Sequence, residues 1–389
     1  MVTKTQFGLE EILAKELTDL GATNVETHNR AVSFEGNKEI MYKANYCLRT
    51  GLKVLIPIAK FKAKNDIDLY EEVRRIDWNE YMDVDGMLAV DGILKSEYFN
   101  HSQYIGLKTK DAIVDQFRDK YGRRPNVDVD NPDLRINIHI NKDDCTLSID
   151  SSGESLHRRG FRGEMTLAPI NEVTAAGMIL LTGWDGKGVY FDPMCGSGTL
   201  VIEAAMIAKN IPPNMHRKKF GFESWKNFDA ALWKKVKDEA IAKIKKSEAT
   251  IIGGDSVFKV IDIARENIKR ANLQDEIKLN NIRFEEQKPP AEGGISILNP
   301  PYGERLPIEE IGAFYKTIGD KLKKDFKGYN VWIISSNIPA LKKIGLQASK
   351  KLQLMNGALE CKYHCYSIYD GTRDPKKLKI QEQENEENK

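Results

Sequence analysis

The segment ILNPPYGERL at residues 297–306 contains the residue types and spacing most suited to chemistry in this sequence. Two consecutive prolines fix the backbone and have no N–H donor, so this segment mainly offers hydrogen-bond acceptors. The Asn299 side-chain oxygen and the Pro300 carbonyl can accept both hydrogens of an exocyclic amine, which frees the nitrogen lone pair to attack a carbon. Tyr302 can stack on the planar group that bears the amine. We predict that Asn299, Pro300, Pro301 and Tyr302 form a catalytic site, rather than a proline turn without function.

A second segment, VYFDPMCGSGT at residues 189–199, joins an apolar strand to a glycine-rich turn. Glycines at such a turn let the backbone approach a ligand, and open parallel sheets bind ligands at the carboxyl ends of their strands. The spacing matches neither the dinucleotide pattern G-x-G-x-x-G nor a Walker loop. Asp192 would repel phosphate and would suit a ligand that carries an ammonium group. The cofactor-binding residues predicted here are Phe191, Asp192, Cys195, Gly196, Ser197, Gly198 and Thr199.

A third segment, ATIIGGDSVF at residues 249–258, places an acidic residue at the end of the next strand. In related folds a carboxylate at this position binds the two hydroxyls of a ribose, so we predict that Asp255 and Ser256 contact the cofactor. Asp255 is also well placed to cap the helix that follows. A ligand with a ribose and an ammonium group but no phosphate fits S-adenosyl-L-methionine.

Apolar strands and helices alternate from residue 189 to residue 336, which is typical of a doubly wound parallel sheet. The strands read GVYFD, ATIIGGD, EIKLNN, GGISILN and YNVWIISS. The stretch QLMNGALECKYHCYSIYDG adds two strands around an Asn-Gly turn, which predicts a hairpin appended to the sheet. Because parallel strands end at one edge of the sheet, the three chemical segments should lie there together.

Two smaller units precede this sheet. In GLEEILAKELTDLGA apolar residues recur at helical spacing and Gly21 follows as a cap, which predicts an amphipathic helix within residues 1–60. Within residues 61–153 the stretch LRINIHI alternates apolar and polar residues, as half-buried strands do. We expect α+β folds in both units, a large α/β domain at residues 154–375 and a charged tail at residues 376–389.

The connector ESLHRRGFRG at residues 154–163 places three arginines beside an aromatic residue. Guanidinium groups next to an aromatic ring can hold phosphates and stack a base. The alternative is an interdomain hinge held by salt bridges. Two lysines of the preceding α+β unit join the prediction, although a solvated helix face is the plainer explanation for them. The predicted RNA-binding residues are Arg158, Arg159, Arg162, Lys108 and Lys110.

The insert PPNMHRKKFGFESW at residues 212–225 interleaves basic and aromatic residues. Such a segment can close over a base that has been flipped out of its stack. Its aromatic side chains can equally pack the following helix onto the sheet, and the sequence leaves both interpretations open.

Composition limits the classes of function. The 59 basic and 57 acidic residues nearly cancel, so an anionic partner must bind at local patches rather than over the whole surface. No apolar run is long enough for a membrane span and the N-terminal segment lacks a signal-peptide core, so we expect a cytoplasmic protein. The five scattered cysteines argue against a disulfide framework. Cys361, His364 and Cys365 lack a second ligand pair, so no metal site is expected.

FDPMCGSGT followed by NPPYG resembles the class I S-adenosylmethionine-dependent amino-methyltransferases. FGLEEILAKEL, DSSGESLHRRGFR and APINEVTAAGMI resemble the THUMP-domain RNA methyltransferases, most closely the bacterial 23S ribosomal RNA guanine-N2 methyltransferase family. The resemblance covers the chain to about residue 375. It implies an α/β fold with a Rossmann-like class I methyltransferase domain, preceded by a ferredoxin-like α+β domain and a THUMP domain that binds RNA. One departure is Arg283, which stands where many relatives have an acidic residue near the adenine.

The sequence therefore predicts an enzyme that transfers a methyl group from S-adenosyl-L-methionine to N2 of a guanine in large-subunit ribosomal RNA. The target base would be flipped out of its stack to reach Asn299. The same acceptor pair would serve adenine N6 or a glutamine amide. A non-catalytic RNA-binding assembly factor is the alternative from another class, but binding alone would not require all the chemical segments together.

Overall fold

The computed structural model describes residues 1–163, 170–303 and 308–369 of the chain. The predicted tail at residues 376–389 lies outside these residues. The described part contains two sheets, an N-terminal sheet of eight strands and a C-terminal sheet of seven. The connector at residues 154–163 leads from the first sheet toward the second.

The N-terminal sheet has the strand order β2-β3-β1-β4-β8-β7-β5-β6. Its strands are β1 (Val2–Lys4), β2 (Thr23–His28), β3 (Ala31–Glu35), β4 (Lys53–Lys62), β5 (Met87–Lys95), β6 (Asn126–Val127), β7 (Leu134–Asn141) and β8 (Asp144–Asp150). Its helices are α1 (Glu10–Asp19), α2 (Lys38–Cys47), α3 (Asp66–Arg74) and α4 (Ser102–Tyr121). The helix predicted in GLEEILAKELTDLGA is α1, and Gly21 follows it with a positive φ of 94°.

The two predicted N-terminal units share this one sheet. Strand β4 pairs with β1 on one side and with β8 on the other, so it passes through residue 60, where the sequence analysis placed a boundary. The alternation predicted for LRINIHI is present in β7, where Leu134, Ile136 and Ile138 are at most 1% exposed. These side chains belong to the apolar core of the N-terminal half.

The C-terminal sheet has the order β11-β10-β9-β12-β13-β15-β14. Its strands are β9 (Lys187–Asp192), β10 (Glu248–Asp255), β11 (Ile277–Asn281), β12 (Gly294–Leu298), β13 (Tyr329–Ser335), β14 (Lys350–Asn356) and β15 (Leu359–Ser367). Its helices are α5 (Glu172–Leu181), α6 (Thr199–Ala208), α7 (Ala230–Ile241), α8 (Phe258–Arg270), α9 (Ile308–Asp325) and α10 (Ile338–Lys343).

The five strands from β11 to β13 in sheet order, which are β11, β10, β9, β12 and β13, run parallel. Strand β15 is antiparallel to both of its neighbours, β13 and β14. This arrangement matches the predicted parallel sheet with an appended hairpin. The chain extends the sheet outward from β9 to β10 and β11, and then returns to place β12 on the other side of β9. Open α/β sheets bind ligands in the crevice at such a reversal. The carboxyl ends of β9, β10 and β12 are Asp192, Asp255 and Leu298, so all three chemical segments lie at this edge.

Candidate active site

A cavity of about 600 Å³ lies at this edge of the C-terminal sheet. Its volume falls within the range of about 300–1,000 Å³ that is usual for sites of small ligands and cofactors. All three chemical segments contribute to it. Among the residues that line it are Cys195, Gly196, Ser197, Thr199, Asp255, Ser256, Arg283, Glu285, Asn299 and Pro301.

The glycine turn after β9 presents its backbone to this cavity. Gly196 has a φ of 54° and an added Cβ there would meet no atom within 4 Å, so the space beside it is open to a ligand. Gly198 has a φ of 85° and is the N-cap residue of α6, which begins at Thr199. The Cys195 N–H donates to the Gly254 carbonyl at 2.8 Å and so joins the turn to the end of β10.

The Asp255 carboxylate forms hydrogen bonds at the start of α8 and at the glycine turn, and its contact with a ribose stays a prediction. Its Oδ1 accepts from the Val257 N–H at 2.9 Å, at the start of α8, and its Oδ2 accepts from the Gly196 N–H at 3.2 Å. Each carboxylate oxygen has a second acceptor direction, and Asp255 lines the cavity together with Ser256. The carboxylate therefore supports the glycine turn while it still faces the position where a ribose would bind.

Asp192 lies behind the cavity lining instead of on it. The residue is 0% exposed, its Oδ1 accepts from the Met194 N–H at 3.1 Å, and its Oδ2 has no partner within the described residues. Burial, and then the charge of Asp255, raise its pKa to about 8. A buried carboxylate with one unpaired oxygen is suited to a nearby ammonium group. The open glycine turn, the Asp255 carboxylate and this oxygen together fit the methyl donor expected from the sequence.

Phe191 corrects the cofactor prediction. Its side chain is 1% exposed and its ring lies 5.9 Å from the ring of Phe326, in the core on the other side of the strand. Side chains alternate between the two faces of a strand, so Phe191 packs the sheet and its ring does not reach the cavity.

The segment after β12 is held by hydrogen bonds from several elements. The Tyr302 hydroxyl donates to Asn299 Oδ1 at 2.8 Å, and Asn356 Nδ2 donates to the Tyr302 hydroxyl oxygen at 3.1 Å. Asn337 Nδ2 donates to the Tyr302 carbonyl at 2.9 Å, and the Tyr315 hydroxyl donates to the Pro301 carbonyl at 3.3 Å. The rigid segment expected from the two prolines is thus fixed from β14, from α9 and from Asn337, the N-cap residue of α10.

Tyr302 and Pro300 differ from their predicted placement. Asn299 and Pro301 line the cavity, whereas Pro300 is buried and Tyr302 is half-buried, with its ring against the core of the C-terminal sheet. Burial raises the pKa of the Tyr302 hydroxyl above its usual value, so it stays protonated and donates its hydrogen to Asn299. Tyr302 thus orients the Asn299 side chain in this structure and does not present an open ring to a base.

Sequence reasoning missed several residues that contribute to this site. The Asn356-Gly357 pair was interpreted only as a turn signal, yet Asn356 reaches Tyr302. Asn337 follows β13 in the same way that Asn299 follows β12, and that position was the available signal. Glu285 lines the cavity two positions after Arg283, so an acidic residue is present near the place where the sequence appeared to lack one.

Arg159 was wrongly predicted to bind RNA. It is 1% exposed, and its Nε lies 3.3 Å from Glu203 Oε1 of α6. Its remaining guanidinium hydrogens go to the carbonyls of Leu48, Arg49 and Leu156 and to the Asn214 side chain. A side chain enclosed in this way cannot reach a phosphate. Its buried pair with Glu203 agrees with the salt bridges of the alternative, whose hinge stays a prediction.

Arg162 is also turned inward. Its Nε donates to Glu172 at 2.8 Å, and its Nη2 donates to the Ile170 carbonyl and to Thr199 Oγ1, each at 3.1 Å. It therefore supports the first residue of α6 beside the cofactor cavity. Its side chain is still 17% exposed, so RNA contact by Arg162 stays a prediction. Arg158 is exposed and forms an ion pair at 2.8 Å with Glu154, which lies four residues earlier in the sequence.

The two lysines predicted to bind RNA lie on α4. Lys108 pairs with Asp66 at 3.3 Å and lies over the Tyr70 ring at 5.2 Å, and Lys110 pairs with Asp111 at 2.7 Å. Both lysine side chains are only about one quarter exposed, at 26% and 25%, whereas their partners are 39% and 51% exposed, so contact of these lysines with RNA stays a prediction.

The aromatic residues of the insert are buried. Phe220, Phe222 and Trp225 are at most 8% exposed, and the first two pack against Trp233 of α7 and Tyr46 or Tyr42 of α2. The packing interpretation is therefore correct for these rings, and they do not close over a base.

The described residues contain no group of three or more metal-ligating side chains, and the cysteines among them are free thiols. None of the helices within residues 1–163, 170–303 and 308–369 is long and apolar enough to cross a membrane.

Three family models match consecutive parts of the chain. The RlmL ferredoxin-like domain matches residues 1–55, the THUMP domain matches residues 63–150, and the RMKL-like methyltransferase domain matches residues 159–364. A protein of Synechocystis sp. named as a candidate RNA methyltransferase is 40% identical over 93% of this chain and 95% of its own length. The ribosomal RNA large subunit methyltransferase K/L of Syntrophotalea carbinolica is also 40% identical over 93% of this chain, but the match covers 52% of that relative, so the chain spans about half of its length.

Solved structures show the same architecture over nearly the whole chain. SMU.472, a candidate methyltransferase complexed with SAH, superposes with a TM-score of 0.86 and 32% identity over 95% of this chain and 98% of its own. A protein of Listeria monocytogenes described as a predicted N6-adenine-specific DNA methylase superposes with a TM-score of 0.83 and 32% identity, over 94% and 95% of the two chains.

Proposed function

The chain belongs to the RMKL-like methyltransferase family, whose methyl donor is S-adenosylmethionine, and we propose that it methylates N2 of a guanine in 23S ribosomal RNA. The observation that carries the proposal is the shared cavity of Asn299, Asp255 and the glycine turn at one edge of the sheet. The THUMP match and the name of the Syntrophotalea relative support RNA as the substrate. Because the proposed substrate is ribosomal RNA, we also propose that the protein acts in the cytoplasm.

When bound, S-adenosylmethionine supplies a methyl group on a sulfonium, which is an electrophile that needs no further activation. The residues proposed to hold it are Cys195 to Thr199 through their backbone, and Asp255 with Ser256 through their side chains. Asp192 would support an ammonium group from behind the glycine turn through its unpaired oxygen.

Asn299 then acts on the amine of the base. Its Oδ1 accepts the Tyr302 hydroxyl hydrogen and has a second acceptor direction for one amine hydrogen. The Pro300 carbonyl is proposed to accept the other, which would direct the nitrogen lone pair toward the donor cavity, although the residue itself is buried and does not line the cavity. Orientation of this kind, with acceptors fixed before the reaction, lowers the barrier without a strong general base. The amine proton leaves after the methyl group has been transferred.

For RNA contact we retain Arg158, Lys108 and Lys110 from the sequence prediction, because their charged groups are at the surface. Arg159 is not part of the proposed RNA surface, since its guanidinium group is enclosed inside the protein, and the 17% exposed Arg162 side chain is already paired with Glu172.

The test is methyl transfer from labelled S-adenosylmethionine to total RNA, to DNA and to protein, followed by nucleoside analysis of the product. N2-methylguanosine in 23S RNA is the expected product. Label in N6-methyladenine of RNA or DNA would instead favour adenine, the base in the description of the Listeria neighbour. Absence of label from every pool, with cofactor still bound, would contradict an enzymatic role.

Asn299→Ala provides the residue-level test. The structure predicts a loss of methyl transfer with cofactor affinity nearly unchanged, because the residue faces the amine and not the glycine turn. Cofactor binding is measured by calorimetry on the purified variant, and a matching loss of cofactor affinity would contradict the role assigned to Asn299.

A further inference from the structure

A second cavity, of about 770 Å³, lies beside the cofactor cavity. It is lined by parts of residues 130–135, by the connector, by residues 170–172 and by residues 216–221 of the insert. We call it the connector groove. Seven lysines and arginines line it against three acidic residues, in a chain whose charges otherwise nearly cancel.

The groove has a rigid wall made of the connector and the insert. Arg217 of the insert donates to three connector carbonyls, those of Glu154, Ser155 and Arg158, and to the carbonyl of Ser152 just before the connector, at 2.9–3.3 Å. The two backbones also approach closely, since an added Cβ at Gly160 would lie 2.4 Å from the His216 carbonyl oxygen. Groups carried on such a wall are positioned before a ligand arrives, which reduces the entropy lost on binding.

The two residues after Arg217 carry uncompensated charge. Lys218 and Lys219 are exposed, line the groove, and form no ion pair within the described residues. Arg158 lines the same groove and forms an ion pair with the exposed Glu154. Burial lowers the pKa of His157, and the positive charges of four nearby arginines lower it further, to about 4. The electrostatic potential beside the groove is therefore positive.

The groove adjoins the cofactor cavity. Ile170 lines both cavities, and Arg162, which lines the groove, donates to the Ile170 carbonyl and to Thr199 at the start of α6. A polymeric ligand bound in the groove would therefore reach the sheet edge that carries Asn299 without crossing the rest of the protein.

We propose that the connector groove binds the phosphate backbone of the single-stranded RNA segment next to the target base, through Lys218, Lys219 and Arg158. This inference rests on the proposed RNA substrate. A flipped-out base must be held in the catalytic site while the backbone beside it is held close, and a basic groove next to the cavity provides contacts for that backbone.

The test compares Lys218→Glu/Lys219→Glu with Lys245→Glu/Lys246→Glu. The control pair is adjacent, exposed and unpaired within the described residues, it changes net charge equally, and it precedes β10 at the opposite edge of the sheet. Binding of deproteinised 23S RNA to the full chain is measured over a range of salt concentrations, with cofactor affinity and methyl transfer measured in parallel.

Loss of two phosphate contacts should make the slope of log K against log salt less negative by about 1.4–1.8 and weaken binding at least about 10-fold at 0.1 M salt. Cofactor affinity should not change, and the control pair should bind RNA within about twofold of the unmodified protein. If the two double variants weaken RNA binding equally, or if neither weakens it, while the unmodified protein methylates RNA, the proposed role of the connector groove is wrong and the proposed function stands. An unmodified protein that neither binds nor methylates RNA would overturn the proposed function as well.

Discussion

Replacing Arg159 with methionine should destabilise the fold instead of weakening RNA binding. The guanidinium is enclosed between the N-terminal sheet, the connector, the insert and α6. Methionine fills a similar volume but leaves the Glu203 carboxylate without its cation. Burial already raises the pKa of Glu203, and the nearby guanidinium groups of Arg159 and Arg49 act against that rise.

The magnitude follows from the burial of both partners, whose side chains are 0% exposed. Removal of one member of a buried ion pair costs about 3–5 kcal/mol, because the other charge stays buried and uncompensated. For a folding unit of 150–250 residues, 1 kcal/mol corresponds to about 2–4 °C, so the unfolding midpoint should fall by roughly 6–20 °C.

The neighbouring Arg158→Met is the matched control, since it removes the same group from an ion pair that is 66% and 56% exposed. An exposed pair contributes about 0–1 kcal/mol, so its unfolding midpoint should hardly change. Thermal unfolding followed by circular dichroism gives the midpoints, and RNA affinity is measured below them. A second variant, Arg159→Met with Glu203→Leu, removes both charges and should recover part of the loss.

The assignment fails if Arg159→Met unfolds at the same temperature as the unmodified protein and instead reduces RNA affinity with a smaller dependence on salt. That result would restore the interpretation of Arg159 as a phosphate contact.

Three further outcomes test the cofactor and base sites. Tyr302→Phe keeps the ring but removes the hydrogen bond to Asn299, so kcat should fall about 2- to 10-fold with unchanged cofactor affinity; an unchanged kcat would refute positioning by the hydroxyl. Gly198→Ala forces an alanine into a φ of 85° and places its Cβ 3.2 Å from Ala264, so cofactor affinity measured by calorimetry should fall, whereas Gly183→Ala, with a φ of 77° and no atom within 4 Å, should leave it unchanged. The pKa of Asp192 is raised to about 8 from an ordinary value of 3.8, so the folded state retains a proton that the unfolded chain releases, and stability should decrease as pH rises between these values. Asp192→Asn removes this titrating group, so the stability of the variant relative to the unmodified protein should increase by up to about 1.4 kcal/mol per pH unit from pH 5 to pH 8. Denaturation of both proteins at three pH values measures the difference in stability. A difference that does not change with pH would contradict the raised pKa.

The position of the active site could be predicted because it depends on short-range signals. Apolar strands followed by Asp255, Asn299 or a glycine turn identify the carboxyl ends of parallel strands, and sheet topology brings those ends together. The partners of the arginines depend instead on contacts that are distant in sequence. Glu203 lies 44 residues after Arg159, and the only local signal was an acidic residue within the apolar stretch TLVIEAAMIA, which requires a buried cation.

The buried arginine also explains how the two cavities keep a fixed relation to each other. Arg159 donates to the carbonyls of Leu48 and Arg49, between α2 and β4, to Asn214 of the insert and to Glu203 in the middle of α6. One side chain therefore joins the N-terminal half and the insert to the helix that follows the glycine turn. The Arg49 guanidinium group donates to the carbonyl of Met206, in the last turn of α6, and to the carbonyl of Ile211, which follows the helix. Because α6 is held at its middle by Arg159 and near its C-terminal end by Arg49, movement of the glycine turn that precedes it is coupled to the connector. RNA bound by the N-terminal half and the groove would therefore meet a cofactor site whose distance is set by the fold, which is the condition that transfer to one particular base requires.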